Sequence, residues 1–165
     1  MDGEASFIVT VYAKSKSKVG WYVNPSFQIC LHSRYFLLLQ KVQSFFGGIG
    51  SLRISSDGQK PIFSVVRLED LINILIPHFI KYPLITHKQS DFKLFKLIID
   101  LINRKKHLTP KGLQKILNLK AGRSPGLSDT LKAGFPNTRS VKRPRVKNKQ
   151  IIKPNLRLYN RGWVF

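Results

Sequence analysis

Trp21-Tyr22-Val23-Asn24-Pro25-Ser26-Phe27-Gln28-Ile29-Cys30-Leu31 is the stretch on which the fold turns. Its residues alternate: Val23, Phe27, Ile29 and Leu31 fall on one face, and Tyr22, Asn24, Ser26, Gln28 and Cys30 on the other. A strand with one apolar and one polar face belongs in an antiparallel sheet covered on one side and wet on the other. Just upstream, residues 6–13 are β-branched and aromatic and read as the partner strand. The basic loop Lys14-Ser15-Lys16-Ser17-Lys18, closed by Gly20, joins the two.

Downstream, Ser33 is placed to N-cap a helix over about 34–46, which Gly47-Gly48 would end. Ser51-Leu52-Arg53-Ile54-Ser55 is a short alternating strand, Asp57-Gly58 a hairpin turn signal, and Pro61 to Leu68 the return strand. Glu69 and Asp70 open a second helix to about Tyr82, with Pro77 inside it as a kink or early stop. A third helix spans about 89–105, and Thr109-Pro110 starts a fourth as N-cap and first helical residue. Asp129 marks a possible further helical turn. The order strand–strand–helix, twice, then two more helices, predicts an α+β fold: a four-stranded antiparallel sheet with helices on one face. The domain is read as residues 1–138. Residues 139–165, with nine Lys or Arg and no acid, read as a basic extended tail.

Composition narrows the partner. Twenty-nine Lys and Arg against eight acids give a net charge of +21. That much self-repulsion points to a polyanion, and nucleic acid leads, because phosphates neutralised by Lys or Arg release condensed counterions. No basic amphipathic helix for a membrane surface stands out, apolar runs are too short to span one, and the acidic start does not resemble a signal peptide. Cys30 is the sole cysteine, and His32, His78, His87 and His107 lack ligand-like spacing, which excludes a disulfide framework and a structural zinc site.

The polar face of the second strand is the first candidate for chemistry. Tyr22, Asn24, Ser26 and Gln28 would share it with Ser51 and Arg53 of the second hairpin and Ser64 of its return strand, with Lys14, Lys16 and Lys18 at the rim. Asn and Gln can pair bidentately with adenine and Arg with guanine, and a β-ribbon fits the major groove. A sheet face polar only for solubility is the competing reading. Among the acids, Asp57, Glu69, Asp70 and Asp129 serve turns and helix starts, and Asp91 and Asp100 read as surface partners of lysines. Asp2 and Glu4 have no such local role.

At Asp2-Gly3-Glu4-Ala5-Ser6-Phe7 the chain resembles the end of the LAGLIDADG motif running into its first strand. Gly20-Trp21, Pro25, Phe27-Gln28-Ile29 and Leu31-His32 continue the likeness. So do Leu71-Ile72-Asn73-Ile74-Leu75-Ile76-Pro77-His78-Phe79, Lys81-Tyr82-Pro83-Leu84-Ile85-Thr86, Lys88-Gln89-Ser90-Asp91-Phe92 and Gly126-Leu127-Ser128-Asp129, which look like the organellar group I intron-encoded branch. The resemblance, over roughly residues 2–146, implies a mitochondrial homing endonuclease that cleaves double-stranded DNA by metal-dependent phosphodiester hydrolysis. It implies Glu4 as the ligand of Mg²⁺, which activates water, and Lys88 as a stabiliser of transition-state charge. It also implies a second repeat or copy for full activity. The motif helix should precede Asp2, and residues 156–165 show no second acidic motif, so the expectation is a first repeat clipped at both ends. A maturase-like protein that binds intron RNA is the alternative, and an inactive DNA-binding remnant a third.

Overall fold

The computed structural model describes residues 5–123 and 125–146. Strands β1 (Ala5–Ala13), β2 (Trp21–Cys30), β3 (Ser51–Ile54) and β4 (Pro61–Val65) form one antiparallel sheet in the order β1-β2-β4-β3. The predicted α+β architecture is therefore present, with the helices gathered on one face. β1 pairs with β2 from Ala5↔Ile29 to Ala13↔Trp21, whereas β4 meets only the end of β2, from Phe27↔Val65 to Cys30↔Ile62. The β1–β2 hairpin consequently projects beyond the rest of the sheet.

Alternation sorts the side chains as the sequence reading expects. Phe7, Val9 and Val11 of β1, Val23, Phe27 and Ile29 of β2, and Phe63 and Val65 of β4 are buried under the helices. The centre of this layer is Phe7. Its ring lies 5.3 Å from Phe27, 5.3 Å from Phe79, 5.4 Å from Phe92 and 5.3 Å from Phe95, so one side chain ties both long strands to two helices. Such offset and edge contacts add to the gain from burial itself.

A 3₁₀ turn at Ser33–Tyr35 precedes α1 (Phe36–Phe45). Ser33 does not cap α1: it opens the 3₁₀ turn, which His32 caps, its Nδ1 accepting from the Arg34 amide at 3.4 Å, and α1 follows from Tyr35 without a side-chain cap. Gly47 and Gly48 do end the helix. Their left-handed conformations let the Gly47 and Gly48 amides reach the carbonyls of Ser44 and Gln43 at 3.0 and 2.9 Å. Gly50, also left-handed, then brings the chain so close to β4 that a Cβ would lie 2.6 Å from the Ser64 carbonyl.

The helix expected up to Tyr82 runs as α2 (Leu68–Asp70), a π-helical segment (Leu71–Leu75) and α3 (Ile76–Lys81). The wide turn sits just ahead of Pro77, which neither donates a hydrogen bond nor fits against the carbonyl one α-turn back. The helix passes through the proline instead of stopping there. Next come α4 (Lys88–Asn103), α5 (Pro110–Ala121) and α6 (Asp129–Gly134). Thr109 caps α5, its Oγ1 accepting from the Gly112 amide at 3.1 Å. Phe135, following α6, packs edge-on against Trp21 with ring centres 5.2 Å apart.

Residues 139–146 lie as a strap along α4 and α5. The Val141 amide donates to the Asn118 carbonyl at 3.2 Å, Ser90 Oγ donates to the Pro144 carbonyl at 2.6 Å, and Arg143 Nε donates to the Gly122 carbonyl at 2.9 Å. The rest of the predicted tail lies outside the described residues. No described helix is long and apolar enough to cross a membrane.

Candidate nucleic-acid interface

The sheet face turned away from the helices is assembled by register. Ser6 stands opposite Gln28, Ile8 opposite Ser26, Thr10 opposite Asn24 and Tyr12 opposite Tyr22. Gln28 also faces Ser64, which faces Ser51, while Ile62 links Cys30 to Arg53. All seven sheet residues predicted from sequence thus share one surface. They are not equally available. Tyr22, Ser51 and Arg53 are exposed and Asn24 and Gln28 half-buried, but Ser26 and Ser64 are covered. As the shortest polar side chains between larger neighbours, they lie at the floor of the surface, where Ser64 and Ser51 share a hydroxyl contact of 3.2 Å. Ser26 and Ser64 therefore shape the surface more than they reach from it.

The reading from sequence omitted the β1 contribution of Ser6, Ile8, Thr10 and Tyr12. Alternation in β1 is masked because Phe7, Ile8 and Val9 are all apolar, so its phase emerges only from pairing with β2. At the hairpin tip Tyr12 and Tyr22 are both exposed, with ring centres 5.4 Å apart, and Lys14 Nζ lies 4.8 Å from the Tyr22 ring. The lysine loop beyond is braced from within. The Lys14 amide donates to the Gly20 carbonyl at 2.9 Å and Ser17 Oγ to the Trp21 carbonyl at 2.6 Å, leaving Lys14, Lys16 and Lys18 exposed. A polar, two-hairpin face with a cationic rim can follow a groove, meet phosphates at its edge and present amide and guanidinium groups to base edges.

Lys88 stands elsewhere, at the first residue of α4. It lines a cavity of about 380 Å³ beside the N-terminal half of β1, together with Asp91, Lys120 and Arg123. Glu4 lies outside the described residues. Asp91 corrects the sequence reading. It is buried, and its carboxylate lies 3.0 Å from Arg143 Nη2, an ion pair without the direction of a good hydrogen bond. Arg143 comes from the strap far down the chain, which no helical periodicity could reveal. Asp100 does form the expected surface pair, with Arg104 at 3.1 Å.

Among the described residues no three His, Cys, Asp or Glu side chains come together in a way that would hold a metal ion. Glu69, Asp91, Asp100 and Asp129 are each engaged by a cation: Arg67, Arg143, Arg104 and Lys132. The described carboxylates do not fit a metal centre by themselves.

Sheet order, polar face and basic hairpin together define an α+β domain with an open polar sheet face and a cationic rim. The sequence profile of the LAGLIDADG endonuclease family matches residues 1–99, and the chain belongs to that family, whose members are metal-dependent nucleases. It is 43% identical over 144 residues to a probable intron-encoded endonuclease of Neurospora crassa, covering 87% of this chain and 27% of that one. Its fold is similar to that of the I-SmaMI LAGLIDADG homing endonuclease bound to cleaved DNA, with a TM-score of 0.88 and 40% identity over 93% of this chain and 51% of that one. The I-LtrWI homing endonuclease bound to target DNA gives a TM-score of 0.88 and 36% identity over 91% and 50%. The chain spans about a quarter of that curated relative and about half of each solved enzyme.

Proposed function

We propose that this protein is one DNA-reading unit of a homing endonuclease that recognises and cleaves double-stranded DNA, acting in mitochondria from an intron-encoded gene. The observation that carries this reading is the open sheet face. Gln28, Asn24, Arg53 and Ser51 occupy adjoining register positions on it, and Lys14, Lys16 and Lys18 extend past its end. Arg53 would take guanine, Gln28 and Asn24 would take adenine, and the lysine loop would take backbone phosphates. Ser26 and Ser64 keep the floor of the face shallow so that a base edge can approach.

Catalysis is assigned to Glu4 and Lys88. Glu4 would be one ligand of Mg²⁺, which when bound supplies a nucleophilic water and steadies the leaving oxygen. Lys88, fixed at the start of α4, would place its ammonium beside the phosphate whose charge grows in the transition state. A second repeat or second copy of the unit would provide the remaining carboxylate and the other half of the recognition surface. The solved relatives support this reading, since the chain matches about half of each DNA-bound enzyme.

Selection from a library of random duplexes tests the recognition claim. The 165-residue chain is expected to enrich a short motif, and Arg53→Ala is expected to relax one position of it. Enrichment of no motif, or a preference for folded intron RNA over duplex that is unchanged by Arg53→Ala, would overturn it. Cleavage of the selected duplex in Mg²⁺ by a chain joined to a second repeat, lost on Glu4→Gln, tests the catalytic claim.

A further inference from the structure

The cavity beside β1 holds more positive charge than the fold can balance. Arg123 is buried to 7% exposure, donates through Nη2 to the Phe7 carbonyl on the free edge of β1, and stacks its guanidinium 5.6 Å from the centre of the Phe95 ring. Its Nε is buried with no hydrogen-bond partner among the described residues. Lys120, one turn back on α5, and Lys88 line the same space, with Asp91 as the one lining acid. Asp91 is already shared, since Arg143 pairs with it from outside. Three cations, of which Arg123 is buried, and one half-satisfied carboxylate around a void of about 380 Å³ call for an anion, because buried charge without a counterion is costly. Burial lowers Arg123 to about 10, with Asp91 opposing the shift and Arg143 adding to it; burial, and then repulsion from Arg123, pulls Lys120 below its ordinary value, yet at neutral pH Arg123 keeps its proton.

We propose that this cavity is a phosphate-binding site in which Arg123 and Lys120, with Lys88, hold a phosphate group. Arg123 Nε is the preset donor, fixed in direction by the Phe7 bond made through the same guanidinium. A tetrahedral oxyanion can accept from it and from both ammonium groups. The phosphate can belong to a nucleic-acid backbone or be a free ion. The role of Lys88 here rests on the proposed function, which sets the same side chain beside a phosphate, whereas Arg123 and Lys120 carry the site through the cavity itself.

The test is thermal unfolding of the 165-residue chain in inorganic phosphate against chloride at matched ionic strength, beside duplex binding as a function of salt. Phosphate is expected to raise the midpoint saturably, and Lys120→Met and Arg123→Met each to weaken phosphate about tenfold. Arg123→Met also removes the Phe7 bond. Lys120→Met does not, since its side chain makes no hydrogen bond or ion pair among the described residues, so it keeps the test readable if the arginine variant fails to fold. If the bound group is a backbone phosphate, Lys120→Met lowers the slope of log affinity against log salt by about 0.9, and the exposed-lysine variant Lys115→Met does not. An unchanged slope with phosphate stabilisation intact in the wild type assigns the site to the free ion. Phosphate no better than chloride, or equally effective on wild type and both variants, overturns the proposal, and neither result bears on cleavage.

Discussion

The packed and open faces of the sheet are made by alternate residues of the same strands. From β1, Phe7, Val9 and Val11 point into the helices, and Ser6, Ile8, Thr10 and Tyr12 point out. The packed face is dense and mutually dependent, with Phe7 touching four other phenylalanine rings. The open face is a mosaic of short polar groups, two exposed tyrosines and an arginine, and few of its members lean on one another. The first face sets stability and the second is free to set partner choice. Substitutions should therefore separate cleanly into those that unfold the protein and those that change only what it binds.

The largest effect is expected on the packed face. Phe7→Ala should cost about 3–5 kcal/mol, as a large ring is lost from a filled core; a denaturant titration reads it directly. On the open face, Arg53→Ala and Gln28→Ala should each cost about 1–3 kcal/mol of discrimination at one base pair. Their unfolding midpoints should stay within about 0.5 kcal/mol of wild type. A large loss of stability in either would break the separation.

Much of this division could be read from the chain. The alternation of Tyr22, Asn24, Ser26 and Gln28 against Val23, Phe27 and Ile29 assigned both faces of β2, because a two-residue period needs no tertiary information. Gly47-Gly48 and Thr109-Pro110 announced their helix ends through local backbone chemistry. What stayed hidden is non-local. Asp91 looked like a surface acid because Arg143, which buries it, arrives from the strap beyond α6. Arg123 gave no sign of its bond to Phe7, a residue at the other end of the chain. The π-helical turn before Pro77 is a register adjustment that no periodicity marks. Lys88 is singled out by the family resemblance and not by pattern, and it stands at the first residue of α4.

Smaller effects sharpen the comparison further. Thr109→Ala removes the cap of α5 and should cost about 1 kcal/mol of stability, with base preference unchanged. Lys16→Ala should weaken duplex binding equally for all sequences and reduce the salt slope by about 0.9. The smallest concerns pH. His78 is ringed by Phe45, Phe46, Phe79 and Tyr82, and burial holds it below its ordinary 6.5. The unfolded chain then takes up the proton first, so stability is steady above pH 6.5 and falls as the pH drops through that value toward the folded one. His107, lowered mainly by burial, acts in the same direction. Acid titration of unfolding should show a shallower decline for His78→Phe than for wild type.

The central claim is that the open face, not the helical layer, meets nucleic acid. Backbone amide NMR of the 165-residue chain, titrated with duplex DNA, tests it most directly. Shifts concentrated at Tyr12, Lys14–Lys18, Tyr22, Asn24, Gln28, Ser51 and Arg53, with α1 and the outer surface of α4 unmoved, are the predicted result. Shifts confined to the helical layer, with β2 and β3 unperturbed at saturation, would contradict it.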